Sequence, residues 1–577
     1  MEALKKIKCE ELFKKYPVAI SHLHQQFKVK RLGLVLGAGV SKGLGFPDWK
    51  ELVKNIAKSS EVEGLKLFDN PSGRTITSQM LFQLFKEKFL SSGEGRQSVD
   101  KYGDLELRKK WKTLVHNILY QGVSLNPEDW ISSCPYLENL IRVIGDSGTM
   151  TVTYNFDDTI EKLLHKYNGK SGSRGYTVVW DSNVQMEKRE NIVYHPNGYL
   201  PTKMSDFAST QLVFLEDTFE DQLVDSFNGH YNALNNHYSS KTCLFIGISL
   251  EDRTLKHMLR MNAKKCYGHI HYIIQHVSDH DKDTDESQQM LIASETKANF
   301  DTYNLYTMYL TSDEINTLME MIRLEVDDFN SICTDVIKTR KFFMMGSVAA
   351  GKSTAVTQFK CFQTYDEWLE DMADDMDKAP SELDADREKA IDTWIAEQIW
   401  RKNDNLVRTT ASHLPCISII DRTPIDAYAF FENDLISPLG GETDEEKKKR
   451  LELLSISWKN KAKLHLSKRT VGSNLTGGKI IFLQGEVPEM VKRAKQKFRG
   501  HEDRDLRIQQ DELLYLARGC EKLCGKHTVH IINVTNKNIE QVAKEVAEVI
   551  YFNEYAEVNF QLILNAIESK GRGFYEE

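Results

Sequence analysis

At 577 residues the chain exceeds what one hydrophobic core supports, and at about 150 residues per domain it divides into roughly three to four domains or subdomains, or into two large α/β ones. A net charge of -9 and an isoelectric point near 6.1 lack the basic excess that phosphate-rich partners demand, which argues against direct nucleic-acid and membrane-surface roles. Nine scattered cysteines without a C-x-x-C pair argue against a structural zinc ribbon, and with no signal segment and no run of about 18 apolar residues the expectation is a soluble, cytoplasmic protein with reduced thiols.

In chain order, apolar runs of strand length fall at 32–36, 150–153, 191–194, 211–215, 243–248 and 269–274, most of them separated by helical periodicity such as 49–57 and 157–165. Such alternation implies a parallel α/β sheet. A polar, acidic stretch, 276–288, reads as a surface loop, and 311–336 reads as helix leading into a strand at 342–345. A second series follows: a glycine-rich loop, a helix from Gly351, a strand at 416–420, a helix from Ile425, a strand at 479–483, a helix from Glu486 and a strand at 527–534. The expected boundary is near Lys338, giving domains 1–335 and 338–577, and no repeat of solenoid period is seen. The charge-rich stretch 365–389 reads as a solvated helical face, with a lid or partner surface as the alternative.

The first apolar run ends in Gly37-Ala38-Gly39-Val40-Ser41. A glycine turn between strand and helix leaves N–H groups free and lets a pyrophosphate approach without meeting a Cβ. Alone, such a turn is as readily only a tight turn. Its context is Gly45-Phe46-Pro47-Asp48-Trp49, then Thr153-Tyr154-Asn155-Phe156-Asp157, Tyr194-His195-Pro196-Asn197-Gly198 and Gly247-Ile248-Ser249-Leu250.

With these five short motifs in this order, the chain resembles the sirtuin family from about residue 27 to residue 274. Gly37, Ala38, Gly39 and Ser41 match the first motif, and Gly45, Pro47 and Asp48 the second. Asn155 and Asp157 match the third, His195 with Gly198 the fourth less closely, and Gly247 with Ser249 the fifth. The resemblance implies a Rossmann-like sheet and an NAD+ site made by Gly37, Ala38, Gly39, Ser41, Pro47, Asp48, Gly247 and Ser249. Cleaving the nicotinamide–ribose bond passes through an oxocarbenium-like state, for which Asn155 can orient water or the ribose hydroxyls and Asp157 can accept from the nicotinamide amide. His195 is the candidate proton acceptor. The plainer alternatives are that Asn155 and Asp157 cap the next helix, and that 247–250 is only a strand exit. His165, His269 and His271 read as structural.

One departure matters. Deacylating sirtuins carry a zinc module with two cysteine pairs, and none is present here. The zinc-free branch resembles NAD-consuming effectors of bacterial anti-phage systems, in which water is the acceptor. NAD+ hydrolysis without zinc is therefore expected over protein deacylation.

Gly346-Ser347-Val348-Ala349-Ala350-Gly351-Lys352-Ser353, followed by Thr354, reads as a P-loop between strand and helix. In such a loop Gly346 and Gly351 free the backbone to cradle phosphates, Lys352 reaches the β/γ oxygens, and Ser353 holds Mg²⁺. Asp421 and Arg422 close the next strand, and Arg493, Lys497 and Arg499 form a basic segment suited to a lid. From about 341 to 551 this half resembles the deoxynucleoside and nucleoside-monophosphate kinases, implying a P-loop parallel sheet that takes ATP or another (deoxy)nucleotide with Mg²⁺. A P-loop kept for packing and a plain solvated basic helix are the alternatives, and no acceptor-nucleoside pocket can be identified from the sequence.

The combined expectation is an NAD+ hydrolase of anti-phage defence, governed by a nucleotide at the kinase-like domain. Its partners would be small nucleotides, further copies of itself and a phage-derived trigger. The rival is a nucleotide kinase regulated by NAD+ or ADP-ribose; a pure binding module and a deacylase rank below it.

Overall fold

The computed structural model describes residues 2–65, 76–93, 95–97, 103–171, 175–180, 191–204, 212–218, 230–278, 286–371, 384–411, 414–429, 443–470, 472–496 and 503–576. The chain divides into two compact units. One comprises Met1–Tyr16, Gln26–Lys265 and Ile270–Leu324, and the other Pro17–Gln25, Cys266–His269 and Glu325–Glu577.

In the first unit, β1 (Leu32–Leu36), β2 (Thr151–Thr153), β3 (Thr177–Val179), β4 (Ile192–Tyr194), β5 (Thr242–Ile246), β6 (His271–His276) and β7 (Leu305–Leu310) form a seven-stranded sheet in the order β3-β4-β2-β1-β5-β6-β7. Every pairing is parallel. Helices on both faces bury such strands completely, which is why β1 and β5 read as unbroken apolar runs. From β1 the chain moves to the β2 side and later returns to β5, β1's other neighbour, before continuing to β6 and β7. The carboxyl ends of β1 and β5 are thus a topological switch point, where an open α/β sheet presents its ligand crevice.

In the second unit, β8 (Arg340–Met345), β9 (Gln363–Tyr365), β10 (Ile417–Asp421), β11 (Lys479–Gln484) and β12 (Val529–Asn533) form a five-stranded sheet, again all parallel, in the order β12-β11-β8-β10-β9. Its switch point lies at the carboxyl ends of β8 and β11. Trp400, Trp458, Tyr428, Phe343 and Phe482 are buried together in its core. Both sheets are compatible with Rossmann-like folds. No helix among the described residues is long and apolar enough to cross a membrane.

Four expectations need correction. Within the apolar run 211–215, the described residues 212–215 are no strand: 213–214 form a turn and 215 a bend, and Phe214 is buried against Trp49 with ring centroids 4.7 Å apart, so these residues are apolar because they pack as a loop. The expected helix 311–336 is two helices, Ser312–Arg323 and Val326–Ser331, broken at Leu324. Among the described residues, the helix expected from Ile425 is a 3₁₀ turn, Asp426–Ala429. Finally, 365–389 does not begin as a helix. β9 ends at Tyr365, residues 366–371 are bends or extended, and the described helix starts at Ala385.

Candidate functional site

The turn after β1 and the turn after β5 meet backbone to backbone. Gly37 N–H donates to Ile246 O at 2.9 Å, and Gly39 N–H to Gly247 O at 2.9 Å. A Cβ on Gly37 would lie 2.5 Å from Gly247 O, one on Gly39 2.7 Å from Gly247 Cα, and one on Gly247, at φ +69°, 2.5 Å from Val40 N. Three of the expected NAD+-site glycines therefore owe their identity to each other. Val40 and Ser41 N–H groups are also used within the turn, by Gly37 O and Ala38 O. This corrects the expectation of free amides: the helix that follows, Gly39–Lys42, is a single turn whose donors are largely spent. Gly39 and Ser249 remain exposed, with Ala38 part-exposed.

The β2 exit docks on this turn. Asn155 Nδ2 donates to Gly37 O and to Ser41 Oγ, each at 3.1 Å, and Ser41 Oγ donates to Asp157 Oδ2 at 3.1 Å. An amide hydrogen must face the Gly37 carbonyl, which fixes the flip of Asn155. Its Oδ1 then has no protein partner among the described residues. Asp157 Oδ1 accepts from Thr159 N–H at 3.0 Å at the start of helix Thr159–Ser171, so Asp157 is both a helix cap and a member of the cluster. Burial pushes its carboxyl pKa upwards.

His195, at the β4 exit, completes the cluster from beneath. The ring is fully buried, its Nδ1 lies 2.9 Å from Asn155 O, and its Nε2 lies 2.7 Å from Glu161 Oε1. Burial opposes charge on the ring, but the Glu161 carboxylate and the Asn155 carbonyl outweigh it and raise the His195 pKa above its ordinary value. Tyr199 packs on the ring at 4.7 Å and Trp180 stacks on Tyr199 at 5.3 Å. Glu161 was not singled out in the sequence, where an acid in a helix's first turn reads as support for the helix dipole.

Gly37, Ser41, Asn155, Asp157 and His195 are thus brought into one network, with Gly39 and Gly247 packed beside it. Asp48 is occupied otherwise. It caps helix Trp49–Lys58 in a capping box with Glu51 and receives Lys42 Nζ at 2.6 Å. Pro47 precedes that cap.

In the second unit the Gly346–Ser353 loop follows β8 and leads into helix Lys352–Val356. Gly346 at φ +151° and Gly351 at φ +96° adopt backbone that favours glycine, and a Cβ on Gly346 would meet Leu483 O at 2.7 Å. Lys352 Nζ turns back on its own loop, donating to Gly346 O at 2.8 Å and Ser347 O at 3.0 Å. Burial, and next the neighbouring Arg422, lower its pKa to about 8. Val348, Ala349, Gly351, Lys352, Ser353 and Thr354, together with Glu367 and Arg422, line a solvent-open pocket of about 390 Å³.

Arg422 is paired with Glu367 and lies 3.7 Å from Asp426 Oδ2. Asp421 is fully buried, and neither carboxylate oxygen has a hydrogen-bond partner among the described residues. Glu367, from the stretch expected to be a solvated face, and Asp426 were both missed in the sequence. Arg493 pairs with Glu489 and with Val534 O at 3.3 Å, and does not line the pocket. Lys497 and Arg499 lie outside the described residues. Among the described residues no group of three or more His, Cys, Asp or Glu side chains could hold a metal ion.

Residues 149–302 match the family model of the SIR2-like domain, a span that contains Asn155, Asp157, Glu161, His195 and Gly247. No curated protein matches the chain. The match supports a sirtuin-like domain, and with it an NAD-related function.

Proposed function

We propose that the first unit hydrolyses NAD+ to nicotinamide and ADP-ribose. The observation that carries this reading is the unbroken chain of contacts Gly37–Asn155–Ser41–Asp157, with His195 behind Asn155, at the carboxyl ends of adjacent strands β1, β2 and β4. In the reaction the ribose C1′–nitrogen bond breaks and its electron pair leaves with nicotinamide. Water attacks the ribosyl oxocarbenium and loses a proton. Asn155 Oδ1, free of protein partners among the described residues, accepts from that water or from a ribose hydroxyl. Asp157 has both oxygens occupied by Ser41 and Thr159, so its role is to hold Ser41 and Asn155 in place rather than to take the nicotinamide amide. Ala38, Gly39 and Ser249 border the crevice and would contact the dinucleotide.

The second unit, in this reading, binds a nucleotide at the Gly346–Ser353 loop and governs the first. Lys352 is the phosphate-binding cation, and Arg422 is available once Glu367 releases it. Exposed Ser353 and the unpartnered Asp421 carboxylate suit the Mg²⁺ that accompanies a nucleotide, which would neutralise phosphate charge. Control requires the nucleotide to bind the active state more tightly than the inactive one. The setting is anti-phage defence in the bacterial cytoplasm by loss of NAD+, in a homo-oligomer released by a phage-derived trigger.

One observation favours a second reading, a nucleotide kinase. Beside the loop lies a cavity of about 480 Å³, sharing Glu367 and Arg422 with the loop pocket and bordered by Trp368, Phe343 and Asn403. Trp368 Nε1, Thr476 Oγ1 and Asp426 Oδ2 are buried there without hydrogen-bond partners among the described residues, as in a pocket built for a polar, planar ligand.

Asn155→Ala tests the leading assignment. The variant should keep its fold and lose NAD+ cleavage by about 10²-fold or more, the cost of removing one positioned contact at a reacting centre. Full activity in a folded variant would remove Asn155 from the site.

A further inference from the structure

A backbone carbonyl can only accept a hydrogen bond, so the 2.9 Å contact between His195 Nδ1 and Asn155 O requires the proton on Nδ1. That leaves Nε2 to Glu161, 2.7 Å away, and both side chains are shut off from solvent. Whichever of the two holds the shared proton, the pair is neutral as a unit, and the ring has no vacant nitrogen with which to accept a proton from substrate. Among the described residues Asp157 and Tyr199 also face the ring, and neither competes for Nε2.

We propose that Glu161 is a positioning residue, which fixes the His195 ring with Nδ1–H on the Asn155 carbonyl, and that His195 acts as a strut for Asn155 and not as the general base. The proposal deepens the NAD+-cleavage reading and rests on it. The second oxygen, Glu161 Oε2, is buried without a hydrogen-bond partner among the described residues, where the imidazole alone holds the carboxylate by a hydrogen bond. In its absence the ring keeps Nδ1–H towards the Asn155 carbonyl but has nothing to pin it from the Nε2 side. The ring can then shift, and the contact that fixes the Asn155 backbone loosens with it.

The test compares Glu161→Ala and Glu161→Gln with the wild-type full-length protein. Glutamine can donate to Nε2 and hold the ring in place, whereas alanine has no group to do so. Glu161→Ala should lower kcat by about 10²-fold with KM changed less than about twofold, the signature of a misplaced reacting group, while Glu161→Gln should stay within about fivefold of wild type. In ¹⁵N-histidine spectra the His195 ring of the wild type should carry its proton on Nδ1, and Glu161→Ala should move the Nε2 resonance to that of an imidazole nitrogen without a partner. Wild-type kcat in a folded Glu161→Ala protein, equal damage from Gln and Ala, or an unprotonated Nδ1 in the wild type would each overturn the proposal. A wild-type protein inert towards NAD+ would instead overturn the cleavage reading and the positioning role with it, and the ring spectrum would still report whether the Glu161–His195 pairing exists.

Discussion

Lys352 illustrates how a single buried side chain carries a measurable consequence. Its ammonium is held by two carbonyls of its own loop, and burial draws its pKa from 10.5 down to about 8. Only the protonated amine attracts phosphate, so a bound nucleotide should raise this pKa and draw in a proton. Nucleotide affinity is then constant below about pH 8 and falls above it by up to about tenfold per pH unit. Calorimetric titration from pH 6.5 to 9.5, in buffers of different ionisation enthalpy, reads both the affinity and the proton uptake, and an affinity flat across pH 8 to 9.5 would contradict the assignment. At this scale the sequence disclosed the residues whose types are unusual for their place: Asn155 and Asp157 at a strand exit, Lys352 after two glycines. It hid those defined only by tertiary partners. Glu161 meets a histidine 34 positions away and Glu367 an arginine 55 away, and neither spacing leaves a mark on local periodicity.

Between elements, the contact that organises the first unit is glycine on glycine. The turns after β1 and β5 approach so closely that a methyl group on Gly247 would fall 2.5 Å from Val40 N, in a left-handed conformation that disfavours any side chain. Gly247→Ala should therefore destabilise the fold by about 1–3 kcal/mol, from overpacking and backbone strain together. Denaturant unfolding of the variant measures this, and unchanged stability would mean that the two turns are not in contact. The long buried strands β1, β5 and β11 were legible because burial on both faces leaves an uninterrupted apolar run. β3 and β9 were not, for each is a three-residue strand at a sheet edge with part of its surface open. The false strand at 211–215 was apolar for a different reason, the burial of Leu212, Phe214 and Leu215 in a loop.

For the whole molecule, two parallel sheets each carry a glycine loop at the switch point, where strand order reverses. The first loop belongs to a polar network with an asparagine at its open end; the second grips its own lysine and adjoins a second cavity. Alternating strand and helix patterns made the two sheets legible, but chain order alone could not reveal which loops would face one another or that a cavity would open beside Arg422. The joint reading, cleavage in one unit under nucleotide control from the other, stands or falls on what becomes of NAD+. Purified protein incubated with NAD+, with and without nucleoside mono-, di- and triphosphates and Mg²⁺, should release nicotinamide and ADP-ribose at a rate that one of these nucleotides changes, and Lys352→Ala should abolish that change while leaving cleavage itself intact. NAD+ recovered whole under every condition, with phosphate passing between nucleotides, would contradict this reading and establish the kinase in its place.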